Sequence, residues 1–363
     1  MSKIQRIGVF TAGGDCPGLN AVIRAVGKSA LNQWRLEVLG IEDGFLGLIQ
    51  NRVHPLTNES VSNILTLGGT ILGTNNRVDP RRYPVIMNGK TEIRDVTDRC
   101  LEHIAHHQID ALIVIGGDGT MTVTSHLLKY GVNCIGVPKT IDNDLFGTDV
   151  TFGFATAVSI ATEALDRVHT TAASHHRVMV VEVMGRNAGW IALYAGVATG
   201  TDVILIPEIP YDIEKVCDFV VARSKRGKRF SIICVSEGAG PKDGQQIVSR
   251  IDPTSPDPVR LGGVGQKVAS DIEAATGIET RTVILGHVQR GGTPVADDRV
   301  LATEFGGTAI DLLMAGERNR LVVMKGRTVT HIQLEDAANK QRVIPLDLPL
   351  LRTARAIGTC FGD

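Results

Sequence analysis

Two carboxylates stand two residues apart in the segment Pro138-Lys-Thr-Ile-Asp-Asn-Asp144, directly after an apolar run that ends at Val137. At the end of a strand, one of them can accept a hydroxyl proton while the other helps with a metal ion or orients its partner. Lys139 adds a positive charge that could neutralise the oxygens of a phosphoryl group in transfer. An Asx turn beside a surface lysine explains the segment equally well when it is taken alone.

Two glycine-rich turns have the composition of phosphate-binding loops. The first is Thr11-Ala-Gly-Gly-Asp-Cys-Pro-Gly-Leu-Asn20, and the second is Ile113-Val-Ile-Gly-Gly-Asp-Gly-Thr120. Gly13 and Gly14 lack the Cβ atoms that would keep a ligand away from the backbone, and the helix that follows offers free N–H groups. A tight strand-to-helix turn without a ligand is the alternative.

Asp118 lies in the second of these turns, at the end of an apolar run. A carboxylate beside a bound phosphate is repelled by it unless a divalent cation lies between the two, and Mg²⁺ held partly through water is the usual solution. Capping of the next helix by the same side chain is the alternative. Both interpretations remain open at this point.

Basic residues recur where predicted strands end. Arginine offers a planar fork for bidentate contact with phosphate, and a nearby histidine can donate to a sugar hydroxyl or a phosphate. Glu237, which follows another strand, could accept hydrogen bonds from sugar hydroxyls, although an ordinary surface glutamate would look the same. The basic set consists of Arg177, Arg186, Arg281, His287 and Arg290. Together with the turns, it predicts phosphoryl transfer to a phosphorylated hydroxyl compound.

The elements that must position these residues follow a β-then-α rhythm, which predicts mostly parallel sheets covered by helices, with ligands at the carboxyl ends of the strands. The pattern Asn20–Leu31 predicts a helix, and the polar stretch Gly238–Pro258 predicts a long loop. The predicted strands are Arg6–Thr11, Glu37–Ile41, Ala111–Ile115, Cys134–Val137, Val178–Val183, Val203–Ile206, Ser231–Val235, Thr282–Leu285 and Leu321–Met324.

Composition excludes several classes of protein for the 363 residues. The 38 basic and 39 acidic residues nearly cancel, so net charge gives no reason to expect a nucleic-acid partner. The apolar runs are far shorter than the roughly 20 residues needed to cross a bilayer, and no signal segment precedes the first strand. The six cysteines are scattered without a C-x-x-C pair, which fits a reducing cytoplasm.

Five segments in order resemble a known family. GGDCPGLN, GGDGT, PKTIDND, EVMGR and GHVQRGG are similar to motifs of the 6-phosphofructokinases, and the resemblance runs from about residue 4 to the C-terminus. It implies transfer of a phosphoryl group to the 1-hydroxyl of fructose 6-phosphate, with Mg²⁺, in glycolysis. It also implies an α/β fold of two lobes, each with a central, mostly parallel sheet flanked by helices, and an active site in the cleft between them.

The resemblance assigns a role to each matching residue. Asp142 is the base that takes the sugar hydroxyl proton, and Asp118 holds Mg²⁺. The implied catalytic residues are Asp142, Thr140, Asp144, Arg186 and Lys139; the implied donor site consists of Gly14, Arg77, Gly117, Asp118, Gly119 and Thr120; the implied sugar-phosphate site consists of Thr140, Ile141, Asp142, Arg177, Met184, Gly185, Arg186, Glu237, Arg281, His287, Val288, Gln289 and Arg290.

Arg177 and Arg281 match positions that the family supplies from a neighbouring subunit. The resemblance therefore implies a homo-oligomer with shared active sites, with a homotetramer favoured and a homodimer as the alternative. The donor lobe is expected to comprise 1–139 and about 289–337, and the sugar-phosphate lobe 140–288 and about 338–363.

Two residues disagree about the phosphoryl donor. In the family, a glycine at the position of Gly119 goes with ATP and an aspartate with pyrophosphate, because a carboxylate there repels the α-phosphate of ATP. Lys139, in contrast, is the residue of pyrophosphate users, where ATP users commonly have glycine, so the chain resembles a mixed branch. We expect ATP, since a flexible lysine can swing aside, whereas a carboxylate at Gly119 would exclude the nucleotide.

Three alternatives accompany this interpretation. A pyrophosphate-dependent, reversible phosphofructokinase is the first, and a related kinase that acts on sedoheptulose 7-phosphate is the second. A sugar-phosphate sensor without catalysis is the third; it predicts loss of Asp142, Asp118 or the arginines, all of which are present. The segment Gly73-Thr-Asn-Asn-Arg77 is one residue longer than the family's common form, which weakens the assignment of Arg77.

Overall fold

The computed structural model describes residues 4–87, 89–242, 244, 246–251 and 259–363. The chain divides into two compact units. Unit 1 contains the chain up to Thr140 together with Leu145–Gly153 and Arg290–Gln341, and unit 2 contains Ile141–Asp144, Phe154–Gln289 and Arg342–Asp363. No helix in the described ranges combines the length and the apolar character that a membrane span requires.

Strands and helices alternate along the chain. The strands are β1 Arg6–Thr11, β2 Glu37–Ile41, β3 Val53–Pro55, β4 Tyr83–Met87, β5 Lys90–Arg94, β6 Ala111–Gly116, β7 Cys134–Thr140, β8 Phe152–Gly153, β9 Val178–Val183, β10 Val203–Leu205, β11 Ser231–Ser236, β12 Val248–Ile251, β13 Val259–Leu261, β14 Thr280–Ile284, β15 Arg320–Lys325 and β16 Thr328–Gln333. The helices are α1 Leu19–Lys28, α2 Phe45–Gln50, α3 Thr97–His106, α4 Asp118–Leu128, α5 Phe154–His175, α6 Trp190–Ala198, α7 Ile213–Lys225, α8 Val264–Thr276, α9 Ala296–Met314, α10 Leu334–Ala337 and α11 Pro349–Ala356.

The sheet of unit 1 has the order β16-β15-β7-β6-β1-β2-β3, and β8 pairs with β7. Its central strands are parallel, which requires helices on both faces, and β6 is accordingly buried along its whole length. The register pairs Thr11 with Ile115 and Gly116 with Pro138. Because parallel strands end together, the loops after β1, β6 and β7 lie at one edge of this sheet.

The sheet of unit 2 has the order β10-β11-β9-β14 and is parallel throughout. The register pairs Val183 with Ser236 and Glu182 with Ile284. The segments after β9, β11 and β14 therefore share one edge, while the starts of the same strands share the opposite edge.

These two sheets confirm the predicted α/β class with mostly parallel strands. The helix expected at Asn20–Leu31 begins at Leu19, ends at Lys28 and continues as a π-helical turn over Ser29–Gln33. Gly238–Pro258 is not loop throughout, because Val248–Ile251 forms an antiparallel pair with β13; residues 243, 245 and 252–258 of the predicted loop lie outside the described residues. The β4–β5 hairpin was not predicted from the sequence. All of β5 is exposed, so its residues do not alternate between apolar and polar as those of a half-buried strand do.

Residues 145–153 group with unit 1, although the division from sequence placed them in the second lobe. Phe152 and Gly153 pair with Lys139 and Thr140, and the Thr148 hydroxyl accepts a hydrogen bond from the Met324 backbone N–H. These contacts extend the edge of the larger sheet and attach the segment to it.

Glu182 fixes the beginning of helix α8 in unit 2. This buried carboxylate on β9 accepts hydrogen bonds from the backbone N–H groups of Gly263 at 3.2 Å and Gly265 at 2.7 Å. Helix N-termini carry N–H groups without intrahelical acceptors, so a carboxylate here stabilises both the donors and the helix dipole.

We expect Glu182→Ala to lower the free energy of unfolding in urea by roughly 2–3 kcal/mol, because charged hydrogen bonds to buried donors are lost. Glu214→Ala is the matched control, since Glu214 is an exposed residue in the first turn of α7, and it should cost less than about 0.5 kcal/mol. Equal losses in the two variants would contradict the capping role.

Candidate functional site

The turn after β1 is held in place from two directions. Its Gly13 has a positive φ of 85°, donates its N–H to the Asn75 carbonyl at 3.0 Å, and accepts from the Thr74 hydroxyl at 2.7 Å. On the other side, Arg290 Nη1 donates to the Asp15 carbonyl at 3.0 Å. A Cβ on Gly14 would stand 2.9 Å from Arg290 Nη1, so a side chain at this position would displace the Arg290 guanidinium from the turn.

Lys139 is the buried partner of the same turn. The side chain is 3% exposed, and its ammonium donates a hydrogen bond to the Gly14 carbonyl. This finding excludes the surface lysine of the Asx-turn interpretation, and it differs from the flexible side chain expected from sequence. A buried ammonium needs such a partner, and here it supplies positive charge beside the glycine-rich turn.

Asp118 is the first residue of helix α4, and Gly117 occupies the capping position with no side-chain cap. The alternative in which Asp118 caps the helix is therefore not supported. Burial raises the pKa of its carboxyl, and a hydrogen bond from the Gln341 side chain opposes that shift. Within the described part of the chain, the buried Oδ1 of Asp118 has no hydrogen-bond partner.

An orphaned buried carboxylate oxygen is what a cation site requires, so Asp118 fits Mg²⁺. No group of three or more His, Cys, Asp and Glu side chains suited to a metal occurs among the described residues. Mg²⁺ usually takes one or two protein carboxylates and completes its shell with water and substrate phosphates. The arrangement matches that pattern rather than a cage made by the protein alone.

Gly119 faces open space. No heavy atom lies within 4 Å of the position that a Cβ on Gly119 would occupy, whereas a Cβ on Gly117 would stand 3.2 Å from the Lys139 carbonyl. Thr120 is buried and packs against Gly116. The N-terminus of α4, with its free N–H groups and partial positive charge, can therefore be approached closely by an anion.

The segment that carries the candidate base belongs to unit 2. Ile141 is fully buried, so its predicted contact with a ligand finds no support in its exposure. Asp142 and Asp144 are half-buried on either side of Asn143, which is buried in the left-handed conformation at φ 53°. The Thr140 carbonyl, at the end of β7 in unit 1, accepts a hydrogen bond from the Thr151 hydroxyl at 2.7 Å.

The segments after β9, β11 and β14 meet as the register requires. Gln289 is fully buried; its Oε1 accepts from the Met184 N–H at 3.3 Å, and its Nε2 donates to the Gly286 carbonyl at 3.0 Å. Gly185 has φ 127°, and its carbonyl accepts from the Ser236 hydroxyl. Gln289 therefore links the segment after β9 to the segment after β14. The other predicted residues at this edge are the half-buried Arg186 and Glu237 and the exposed His287 and Val288.

Arg177 and Arg281 lie at the opposite edge of this sheet. Arg177 precedes β9, Arg281 pairs with Met179, and the two guanidinium groups share the Glu279 carboxylate at 3.3 and 2.7 Å. A strand of six residues spans about 20 Å. The structure therefore brings these two arginines together, but it separates them from Met184, Gly185 and Glu237 within one copy of the chain.

Two further predicted residues belong to unit 1. Arg290 Nη1 contacts the glycine-rich turn after β1. Arg77 is exposed and donates its backbone N–H to Asn75 Oδ1 at 2.8 Å. Sequence reasoning missed Gln341, Arg342 and the contacts of Thr74 and Asn75 with Gly13, because these contacts join remote parts of the chain and leave no local pattern.

Comparison with known proteins places the chain in a class. Residues 6–313 match the family model described as Phosphofructokinase. The chain therefore belongs to the phosphofructokinase family.

Two bacterial relatives match along the whole length. The chain is 50% identical to the ATP-dependent 6-phosphofructokinase 2 of Clostridium perfringens, with 100% of each chain covered. It is 47% identical to the ATP-dependent 6-phosphofructokinase of Spirochaeta thermophila, with 99% of this chain and 98% of that one covered.

Solved structures agree on the fold. Phosphofructokinase from Saccharomyces cerevisiae superposes with a TM-score of 0.76 at 31% identity over 92% of this chain, which spans only 45% of that yeast chain. The pyrophosphate-dependent phosphofructokinase from Marinobacter aquaeolei gives a TM-score of 0.79 at 22% identity, covering 94% of this chain and 86% of that one, and this likeness concerns the fold alone.

Proposed function

We propose that the chain is an ATP-dependent 6-phosphofructokinase, which transfers the terminal phosphoryl group of ATP to the 1-hydroxyl of fructose 6-phosphate. One observation carries the proposal: two glycine-rich turns and the orphaned carboxylate oxygen of Asp118 share one edge of a sheet. They do so in a chain that matches ATP-dependent 6-phosphofructokinases from end to end. Its role is in glycolysis, and its place is the cytoplasm.

In the proposed reaction, Asp142 accepts the proton of the attacking hydroxyl, since proton transfer to a positioned carboxylate makes the oxygen a better nucleophile. Thr140 and Asp144 flank it. On the donor side, Lys139 and the N-terminus of α4 direct positive charge toward the phosphates. Asp118 would hold Mg²⁺, which would neutralise charge on the phosphate oxygens.

The donor assignment rests on Gly119 and on the relatives. Open space beside Gly119 leaves room for a nucleotide, and the full-length relatives are ATP-dependent enzymes. Lys139 is engaged by the Gly14 carbonyl, and we assign it to the shape and charge of the turn rather than to the choice of donor. Pyrophosphate is the alternative donor.

The sugar-phosphate site is proposed to be shared between subunits of a homo-oligomer, a homotetramer rather than a homodimer. The separation of Arg177 and Arg281 from Met184, Gly185 and Glu237 supports this arrangement, because one copy does not bring both sets to one edge. In a closed symmetric oligomer, each copy can contribute its two arginines to the sugar-phosphate site of a neighbouring copy.

We expect the double variant Arg177→Ala/Arg281→Ala and the variant Asp142→Ser to be nearly inactive alone and to regain activity when the two chains are co-assembled. A hybrid then contains sites with Asp142 from one chain and both arginines from the other. Hybrids of Asp142→Ser with Asp144→Ala are the control, since both lesions lie in the same segment. Verified hybrids without regained activity would contradict shared sites.

The reaction itself is tested by supplying fructose 6-phosphate, MgATP and the purified protein, and by identifying the product. We expect fructose 1,6-bisphosphate as the product, and a lower kcat/KM for sedoheptulose 7-phosphate than for fructose 6-phosphate. A preference for the seven-carbon sugar would move the assignment to the related kinase. Binding of fructose 6-phosphate without turnover would favour the sensor.

A further inference from the structure

The backbone beside Asp142 is held by a residue far away in the sequence. Arg342 Nη1 donates to the Asn143 carbonyl at 3.1 Å, and the Arg342 backbone N–H donates to the Asp144 carbonyl at 2.7 Å. The two acceptors are consecutive carbonyls of the segment that carries both carboxylates. All of these residues belong to unit 2.

Arg342 is itself fixed by Trp190, the first residue of helix α6. The guanidinium carbon lies 4.1 Å from the centroid of the indole ring, and the indole Nε1 donates to the Arg342 carbonyl at 3.2 Å. Trp190 is 1% exposed, so the ring that Arg342 contacts is packed inside unit 2. Stacking on a buried ring fixes the plane of the guanidinium and thus the direction of its N–H groups.

A carboxylate completes the support. Glu208 accepts from the backbone N–H of Gly189, directly before α6, at 3.1 Å and from the Ile344 N–H at 2.9 Å. Burial raises the pKa of the Glu208 carboxyl above its ordinary value, and the backbone hydrogen bonds, the one from Ile344 foremost, oppose this shift only in part. The chain at 342–344 is thereby attached to the start of α6 on both sides of Val343.

We propose that Arg342 is a positioning residue for the loop of Asp142 and Asp144. Asn143 has a left-handed backbone, which asparagine adopts more readily than most residues, and the Arg342 guanidinium holds its carbonyl in that conformation. The direction of the side chains on either side depends on that conformation. Arg342 thereby sets the direction of the Asp142 and Asp144 carboxylates. This inference rests on the proposed reaction, in which both carboxylates act.

The test compares Arg342→Ala with Arg342→Lys. We expect Arg342→Ala to lower kcat about tenfold to a hundredfold, since small misplacement of a reacting group has effects of this size, while KM for fructose 6-phosphate and ATP changes less than about threefold. Arg342→Lys should recover part of kcat, because its ammonium can still donate to the Asn143 carbonyl. Trp190→Phe, which keeps a ring and loses the Nε1 donor, should give a smaller loss of kcat.

Arg355→Ala is the matched control in the same unit. Arg355 also stacks on an aromatic ring, at 4.8 Å from the centroid of Phe361, and it pairs with Asp363 at 2.6 Å. It therefore loses a comparable set of contacts away from the loop, and kcat should stay within about twofold of wild type. A parallel fall of kcat in both variants would mean that Arg342 contributes only to the general stability of the unit and does not position the loop.

Hydrogen exchange tests the positioning without reference to activity. Amides of residues 142–145 should exchange faster in Arg342→Ala than in wild type and remain unchanged in Arg355→Ala. Unchanged protection of this segment, or a folded Arg342→Ala protein with wild-type kcat, would overturn the proposal. A wild-type protein without kinase activity would instead overturn the proposed function, and the exchange experiment would still decide the role of Arg342.

Discussion

Replacement of Asp142 by serine should lower kcat by roughly 10²- to 10⁴-fold, the range that a positioned general base contributes. Serine is smaller and has no basic oxygen at neutral pH, so the sugar hydroxyl keeps its proton as the phosphoryl group approaches. Binding of fructose 6-phosphate should remain measurable, because the proposed contacts of its phosphate are made by arginines and not by Asp142. Steady-state kinetics and isothermal titration measure the two effects separately.

Asp149→Asn is the control for this variant. Asp149 lies five residues after Asp144 in the sequence and is exposed. Its carboxylate accepts a hydrogen bond from the Gly326 N–H at 2.6 Å. Its neutralisation should leave kcat within about twofold of wild type, as surface substitutions usually do. Normal turnover of Asp142→Ser would remove Asp142 from its assigned role.

Gly119→Asp should lower kcat/KM for ATP by at least about a hundredfold. At an effective dielectric constant near 20, two like charges 4 Å apart repel by about 4 kcal/mol, and the α-phosphate of ATP is expected near this position. The free space beside Gly119 means that the side chain fits without disturbing helix α4, so the loss reports on the ligand and not on the fold. Any turnover with pyrophosphate, which has no α-phosphate of a nucleotide, should not fall in parallel.

Gly119→Asn separates charge from size. Asparagine has nearly the same shape as aspartate without its charge, so it should retain most of the activity with ATP that Gly119→Asp loses. Equal losses in the two variants would indicate that bulk at this position, rather than electrostatic repulsion, excludes ATP.

The fold and the donor edge could be predicted from local patterns. Arg6–Thr11 is an apolar run followed by glycines, and β1 has these bounds because a buried parallel strand needs apolar residues along its length. Asp118 was placed at a strand-to-helix turn by the same logic. Its orphaned Oδ1, which separates a metal site from a helix cap, depends on tertiary packing and could not be predicted.

Burial of charged residues and remote contacts escaped prediction for the same reason. Lys139 has the sequence context of a surface lysine, yet its partner is a carbonyl 125 residues away. Arg342 acts on carbonyls 199 and 198 positions earlier, through a ring and a carboxylate from two other elements. Periodicity and turn chemistry describe neighbours in sequence, whereas these roles arise only when separate segments meet.

Turnover of fructose 6-phosphate by the purified wild-type protein, with Mg²⁺ and either ATP or pyrophosphate as sole phosphoryl donor, tests the central claim most directly. We expect fructose 1,6-bisphosphate to form with ATP, with little or none formed with pyrophosphate. This result would mean that Gly119 sets the donor and that the buried Lys139 is compatible with a nucleotide. Turnover with pyrophosphate alone would contradict the account and assign the choice of donor to Lys139.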